Sequence, residues 1–301
     1  MRSYRQVIAC FCAALLMVGC SDNYRGERLF WQAQKASAPF VKDIKHATPE
    51  QLSKATVAFT RVVQGAPGTT WAGRAQLTLG SLSAAQQQYD DAKRAYELVL
   101  QNYNQFQDLT LVAHVSLAKL YEVQQQWDAA VRGYQDIADY HPWSVPGLEA
   151  PLYIAALYRK LKEPERATAE FERAVRAYSK LILNAPNPDA ANGAKGYLVL
   201  AYEQLGRWDD AVTTLQELSN VKTGINRPLV LLMLGSIYRT KVNDVAKAQH
   251  TFNQIVQEFP QHPFAKVAKA QLQQLSNGAT PTAPAMTPPA ASPTMPTKPG
   301  A

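Results

Sequence analysis

The stretch YLVLAYEQLGRWDDAVTTLQEL, Tyr197 to Leu218, reads as two helices joined by a tight turn. Leu198, Ala201, Tyr202 and Leu205 fall on one face of the first helix at helical spacing. Gly206 suits the end of that helix, because glycine takes a left-handed C-terminal position without steric cost. Trp208 is expected in the turn. Asp209 and Asp210 open the second helix, and Ala211, Leu215 and Leu218 form its buried stripe. Ala211 follows Tyr202 by nine positions, which sets a bulky ring against a small residue where the helices cross.

One helical hairpin cannot bury its own apolar face, so copies are expected elsewhere in the chain. They occur as LSKATVAFTRV, YDDAKRAYELV, WDAAVRGYQDI, PERATAEFERA and VAKAQHTFNQI. Each has a small residue, an aromatic four later and an apolar residue three after that. The small residue falls at Ala55, Ala92, Ala130, Ala167, Ala211 and Ala248, in steps of 37, 38, 37, 44 and 37. The preceding helices match through Tyr121, Tyr158, Tyr202 and Tyr238, and through Leu79-Gly80, Leu117-Ala118, Ile154-Ala155 and Leu234-Gly235. The last repeat carries one extra residue before Ala248. The long step is assigned to Asn184–Asp189, read as a hinge or a longer turn, with the turn favoured.

This pattern resembles the tetratricopeptide repeat (TPR) over roughly residues 24–275, with steps longer than the usual 34. The resemblance implies an all-α fold: a TPR-type α-solenoid, a right-handed superhelix of about six hairpins, spanning 25–275. Its final helix, Phe264 to Leu275, would cover the last open face, as terminal elements of solenoids must. It also implies a non-catalytic scaffold whose first helices line a concave, partner-binding face. By register that face would carry Lys119, Glu122, Tyr153, Arg159, Lys160, Tyr197, Glu203, Met233, Ser236 and Arg239.

The chain has 301 residues, is 47% hydrophobic and carries a formal charge of +7. That mild excess has no block of like charges and fits a basic surface. The three cysteines are Cys10, Cys12 and Cys20, so the part beyond residue 20 has neither a disulfide framework nor a thiolate metal site. Residues 1–19 read as a signal: Arg2 and Arg5 start it, and the apolar run from Val7 to Val18 is too short to span a bilayer. Leu16 to Cys20 resembles a bacterial lipobox, with Met17 where Leu is commoner. The resemblance implies acylation of Cys20, a short tether over 20–24, and attachment to the membrane through acyl chains. Ser21, in place of Asp, favours an outer-membrane protein facing the periplasm.

Residues 276–301 hold seven prolines among Ala, Thr and Ser, and are expected to be an extended, disordered tail. Within the repeats, Asp90-Asp91, Asp128 and Asp209-Asp210 recur at the start of second helices, where capping is expected. His141-Pro142-Trp143 and His262-Pro263-Phe264 read as equivalent turns. The histidines lack metal-binding spacing, and no phosphate loop or nucleophile elbow is present. No cofactor, metal, nucleic acid or small-molecule substrate is expected. Partners are expected among envelope proteins. Narrower readings are a BamD-like subunit of an outer-membrane assembly machinery, or a protein associated with peptidoglycan or polysaccharide.

Overall fold

The computed structural model describes residues 22–39, 44 and 47–277. The signal (1–19), Cys20 and residues 278–301 of the tail lie outside the described residues. Among the described residues no strand occurs. Helix α1 covers 22–39, so the segment expected as tether is helical from residue 22. Then follow α2 (Pro49–Gly65), α3 (Thr70–Ala85), α4 (Tyr89–Asn102), α5 (Gln107–Val123), α6 (Trp127–Tyr140), α7 (Val145–Lys160) and α8 (Pro164–Leu183). The series continues with α9 (Pro188–Leu205), α10 (Trp208–Ser219), α11 (Arg227–Ile237), a π-helical turn (Tyr238–Val242), α12 (Val245–Glu258) and α13 (Pro263–Ser276). The chain is an all-helical protein of α-solenoid class.

The chain divides into two compact units, Met1–Ala167 and Thr168–Ala301, the division falling inside α8. In the first unit each helix from α2 to α7 packs on the next, and α3 also touches α5. Three successive apolar clusters fill it. Phe30 and Ala33 of α1 pack with Phe59, Val62 and Leu82; Tyr96, Val99 and Leu109 follow; Tyr134, Ile154 and Tyr158 complete the series. In the second unit α9 to α13 pack in the same sequential way, around Leu215, Leu231, Phe252 and Ile255. There Ala268 of α13 joins the cluster, with Phe264, Leu272 and Leu275 packed against it. All six repeat-defining alanines, Ala55, Ala92, Ala130, Ala167, Ala211 and Ala248, are buried, as are Tyr158 and Tyr238; Tyr121 and Tyr202 are half-buried.

The small residues allow close helix crossing. A Cβ on Gly80 would lie 2.5 Å from a ring carbon of Tyr96, and one on Gly235 would lie 2.6 Å from a ring carbon of Phe252. The register equivalents of the latter pair in the preceding repeat are Val199 and Leu215, both fully buried in one cluster. Where the ring is replaced by the smaller Leu215, a larger residue stands opposite in the pattern, which conserves packed volume.

The two kinds of helix start differently. Four first helices are capped by side chains: Thr69, Ser144, Asn187 and Asn226 accept backbone N–H groups of α3, α7, α9 and α11, while α5, with Phe106 at its cap, has no such bond. The second helix α2 is capped as well, by a reciprocal box of Thr48 and Gln51. The second helices α4, α6 and α10 have Gln88, Gln126 and Arg207 at the cap, with no side-chain capping bond. The expectation that Asp90, Asp91, Asp128, Asp209 and Asp210 cap these helices is therefore corrected. They sit one step inside, in the first turn, where they meet the positive end of the helix dipole. Among the second helices from α4 on whose caps are described, only α12 has an acidic cap, Asp244, which accepts the Lys247 N–H at 2.9 Å.

The turns before these helices share one backbone form. Five residues before each repeat alanine from Ala92 on, the backbone is left-handed: Gln87, Gln125, Lys162, Gly206 and Asn243 have φ of 58–70°. The next residue donates its N–H five residues back, Gln88 to Ser83, Gln126 to Tyr121, Glu163 to Tyr158 and Arg207 to Tyr202, each at 2.9 Å. This is the Schellman closure, and it uses the cap residue's backbone. In the last repeat Asp244 donates six residues back, to Tyr238, at 2.8 Å. The extra residue before Ala248 is absorbed there by the π-helical turn Tyr238–Val242.

Two further expectations are corrected. The step of 44 does not come from a longer turn, since only residues 184–187 separate α8 from α9, as many as separate α6 from α7. It comes largely from α8 itself, which has 20 residues against 14 in α4 and α6. His141 and His262 are also not equivalent. His141 ends α6, whereas His262 starts α13, its Nδ1 accepting the Phe264 N–H at 3.2 Å.

Candidate partner-binding surfaces

In the first unit, register places Lys119 and Glu122 on α5 and Tyr153, Arg159 and Lys160 on α7. The structure brings two of these together. Glu122 accepts the Tyr134 hydroxyl at 2.6 Å and the Tyr153 hydroxyl at 3.2 Å. The two tyrosine rings lie 4.5 Å apart. Glu122 thus ties α5 to α6 and α7, and both tyrosines are partly committed to the fold. Burial, and then the bond to the Glu122 carboxylate, push both hydroxyls above the usual tyrosine range. Lys119 is half-buried, while Arg159 and Lys160 are exposed in the last turn of α7.

In the second unit the sequence expectation holds less well. Ser236 is buried and donates its hydroxyl to the Leu232 carbonyl at 2.7 Å. Arg239 is only 3% exposed, and its guanidinium donates to Gln274 Oε1 of α13 at 2.8 Å. Burial lowers its pKa. Met233 is half-buried against the apolar cluster. It remains partly exposed, whereas Ser236 and Arg239 belong to internal packing and are not displayed on an open face. α11 is apolar on several sides, so register alone misplaces them. Tyr197 is half-buried and stacks on Tyr178 at 6.0 Å. Glu203 is half-buried, and burial raises its carboxyl above the usual range, with Lys241 opposing.

Each unit also has a cleft beside its hairpin turns, which the reading of first helices overlooked. In the first unit a cleft of about 700 Å³ is lined by Trp127, Asp128, Arg132, Tyr158, Glu163 and Arg166. Arg166 is held there by Glu163 at 2.7 Å and by the Tyr158 hydroxyl at 2.8 Å, its guanidinium 4.1 Å from the Tyr158 ring centre. In the second unit a cleft of about 450 Å³ is lined by Arg207, Trp208, Asp210 and Lys241. The Lys241 ammonium lies 4.8 Å from the Trp208 ring centre. Trp127 and Trp208 share a repeat position, which is the one signal the sequence offered. The cations come from other positions, Arg132 in α6, Arg166 in α8, Arg207 in the turn and Lys241 in the π-helical turn.

His114 and His141 lie with ring centres 5.5 Å apart, and His114 stacks on Tyr140 at 5.3 Å. Burial lowers the pKa of both histidines. Among the described residues no three His, Cys, Asp or Glu side chains gather as metal ligands, and no helix is long and apolar enough to cross a membrane.

Comparison with known proteins follows the same lines. None of the curated proteins matches the sequence. A TPR protein from Parabacteroides merdae is 15% identical, with 83% of this chain and 88% of that chain covered and a TM-score of 0.40. A thermophilic TPR protein from Thermus thermophilus is 18% identical, with 68% of this chain and 100% of that chain covered and a TM-score of 0.42. The family model described as a tetratricopeptide repeat-like domain matches residues 2–180, and the tetratricopeptide-repeat model matches residues 197–220 and 229–262. With hairpins, register and more than half of the chain in agreement, the chain belongs to the tetratricopeptide-repeat family.

Proposed function

We propose that this chain is a lipid-anchored scaffold at the bacterial envelope, which holds partner proteins without acting on them chemically. Proteins of this family generally mediate protein–protein interaction and are generally non-catalytic. The observation that carries the reading to particular residues is the end of α7, where Arg159 and Lys160 are exposed in one turn. Such a basic, accessible helix end suits an acidic segment of a partner, because charge complementarity selects and orients what approaches. Acylation of Cys20 would hold the chain at the membrane, on the outer membrane facing the periplasm as Ser21 implies.

Two measurements test this. A photo-crosslinking residue at Lys160, in cells, is expected to give a discrete adduct that the same probe at Lys54 of α2 does not. The Arg159→Glu/Lys160→Glu variant is expected to lose it. No adduct at Lys160, or the same adduct at both positions, overturns the scaffold surface. For the anchor, Cys20→Ser is expected to move the chain from the membrane to the soluble fraction; an unchanged distribution overturns lipidation.

A further inference from the structure

Helix α1 is two-sided in a specific way. Its buried residues are Gly26, Phe30, Ala33 and Ser37, spaced four, three and four apart. Phe30 packs on Phe59 and Trp71, with ring centres 5.7 and 5.4 Å away. Tyr24, Arg28, Trp31 and Lys35 have the same spacing, offset by two residues, and all four are exposed. At about 100° per residue that offset sets the second stripe roughly opposite the first. Tyr24 is 69% and Trp31 63% exposed, so neither ring contributes much to the core. The stripe carries two cations and no acid.

We propose that the stripe Tyr24–Arg28–Trp31–Lys35 is a membrane-contact face that seats α1 in the headgroup layer of an anionic bilayer. Tyr and Trp are the side chains enriched at membrane–water interfaces, where an apolar ring and a polar tip are both accommodated. Interleaved Arg and Lys are complementary to anionic headgroups. The chain outside the structure supplies the position. Its apolar run ends at Val18, and α1 begins at residue 22. That start is two steps along the chain from Cys20, a reach of at most ~7 Å. The stripe then runs about 17 Å along the helix. A helix entered so close to the surface, with its opposite face fixed to the core, lies against the bilayer on the Tyr24–Lys35 side. The inference rests on the proposed anchor at Cys20 and adds a second contact to it.

The test uses the full chain in vesicles containing phosphatidylglycerol, with acyl chains brominated or not. Bromine quenches tryptophan fluorescence at short range. The wild type is expected to be quenched by brominated vesicles, and Trp31→Phe to lose that quenching. Trp143→Phe, removing an exposed tryptophan elsewhere in the same unit, is expected to keep it. Arg28→Glu/Lys35→Glu is expected to weaken quenching, and all-phosphatidylcholine vesicles to weaken it for the wild type. Equal quenching of wild type and Trp31→Phe, or none in a wild type that floats with the vesicles, overturns the proposal. So does shielding of Trp31 only after a partner protein is added. The mass of the N-terminal peptide from the same sample reports acylation of Cys20 separately. An unacylated chain whose Trp31 is quenched would remove the lipid anchor and leave the contact face standing.

Discussion

The Glu122 carboxylate accepts the Tyr134 hydroxyl at 2.6 Å, tying the first helix of one hairpin to the second, and the same carboxylate reaches Tyr153 in the next hairpin. Glu122→Ala leaves two tyrosine hydroxyls without this acceptor, and Tyr134 is only 7% exposed. Leaving a buried donor unpaired costs about 1–3 kcal/mol. Urea unfolding is expected to show a loss of that size for Glu122→Ala and a smaller one for Glu122→Gln, which keeps an acceptor oxygen. A loss no greater for Ala than for Gln would show that the bond is not what matters.

The same pair gives the first unit an alkaline sensitivity. Burial, and then Glu122, hold the Tyr134 proton to a pKa above the usual range. Below pH ~10 both folded and unfolded chains keep that proton, and the contribution is fully present. Above it the unfolded chain releases its proton while the folded chain does not, so the unfolded state gains and stability falls as pH rises. Tyr134→Phe is expected to flatten part of this fall, leaving the share of other buried tyrosines such as Tyr96. The check is the urea midpoint of both proteins on either side of pH 10; parallel curves would count against it.

Gly235 and Phe252 set a packing limit in the second unit. Gly235→Ala places a methyl 2.6 Å from the Phe252 ring. Overpacking of a tight core costs about 1–3 kcal/mol, and helix propensity returns up to ~1 of that. A net loss is therefore expected in thermal unfolding. Phe252→Leu in the same chain sets a leucine in place of the ring, as Leu215 does opposite Val199, and is expected to recover part of it. Strictly additive single and double variants would show that the two sites are uncoupled.

The left-handed turns offer stabilising changes. Gln125 has φ of 60°, a conformation that costs an L-residue about 1–2 kcal/mol. Gly relieves that cost but loses roughly 0.5–1 in backbone entropy, so Gln125→Gly is expected to gain up to ~1 kcal/mol. Gly206 already has the suitable residue at φ 70°, and the nearest atom to an added Cβ there is 3.8 Å away, at Trp208. Gly206→Ala therefore reads the backbone effect alone, and is expected to lower the melting temperature. An unchanged melting temperature for both variants would mean that the turns relax at no cost.

Periodicity by itself determined the hairpins, their register and the buried alanines, because a helix's apolar face repeats with the helical turn and is written locally. Gly206 was legible for the same reason, since a left-handed helix end depends on a few neighbouring residues. Only the tertiary structure decided the rest. Phe30 and Trp31 are adjacent and similar in composition, yet one is core and the other exposed, which depends on where α2 and α3 lie. Ser236 and Arg239 matched an open face by register, but packing within the second unit buries them. The spare residue before Ala248 became a π-helical turn, which keeps both Tyr238 and Phe252 in the core, and the long step became a longer α8. Burial is a sum over distant neighbours, and no local stretch of sequence contains it.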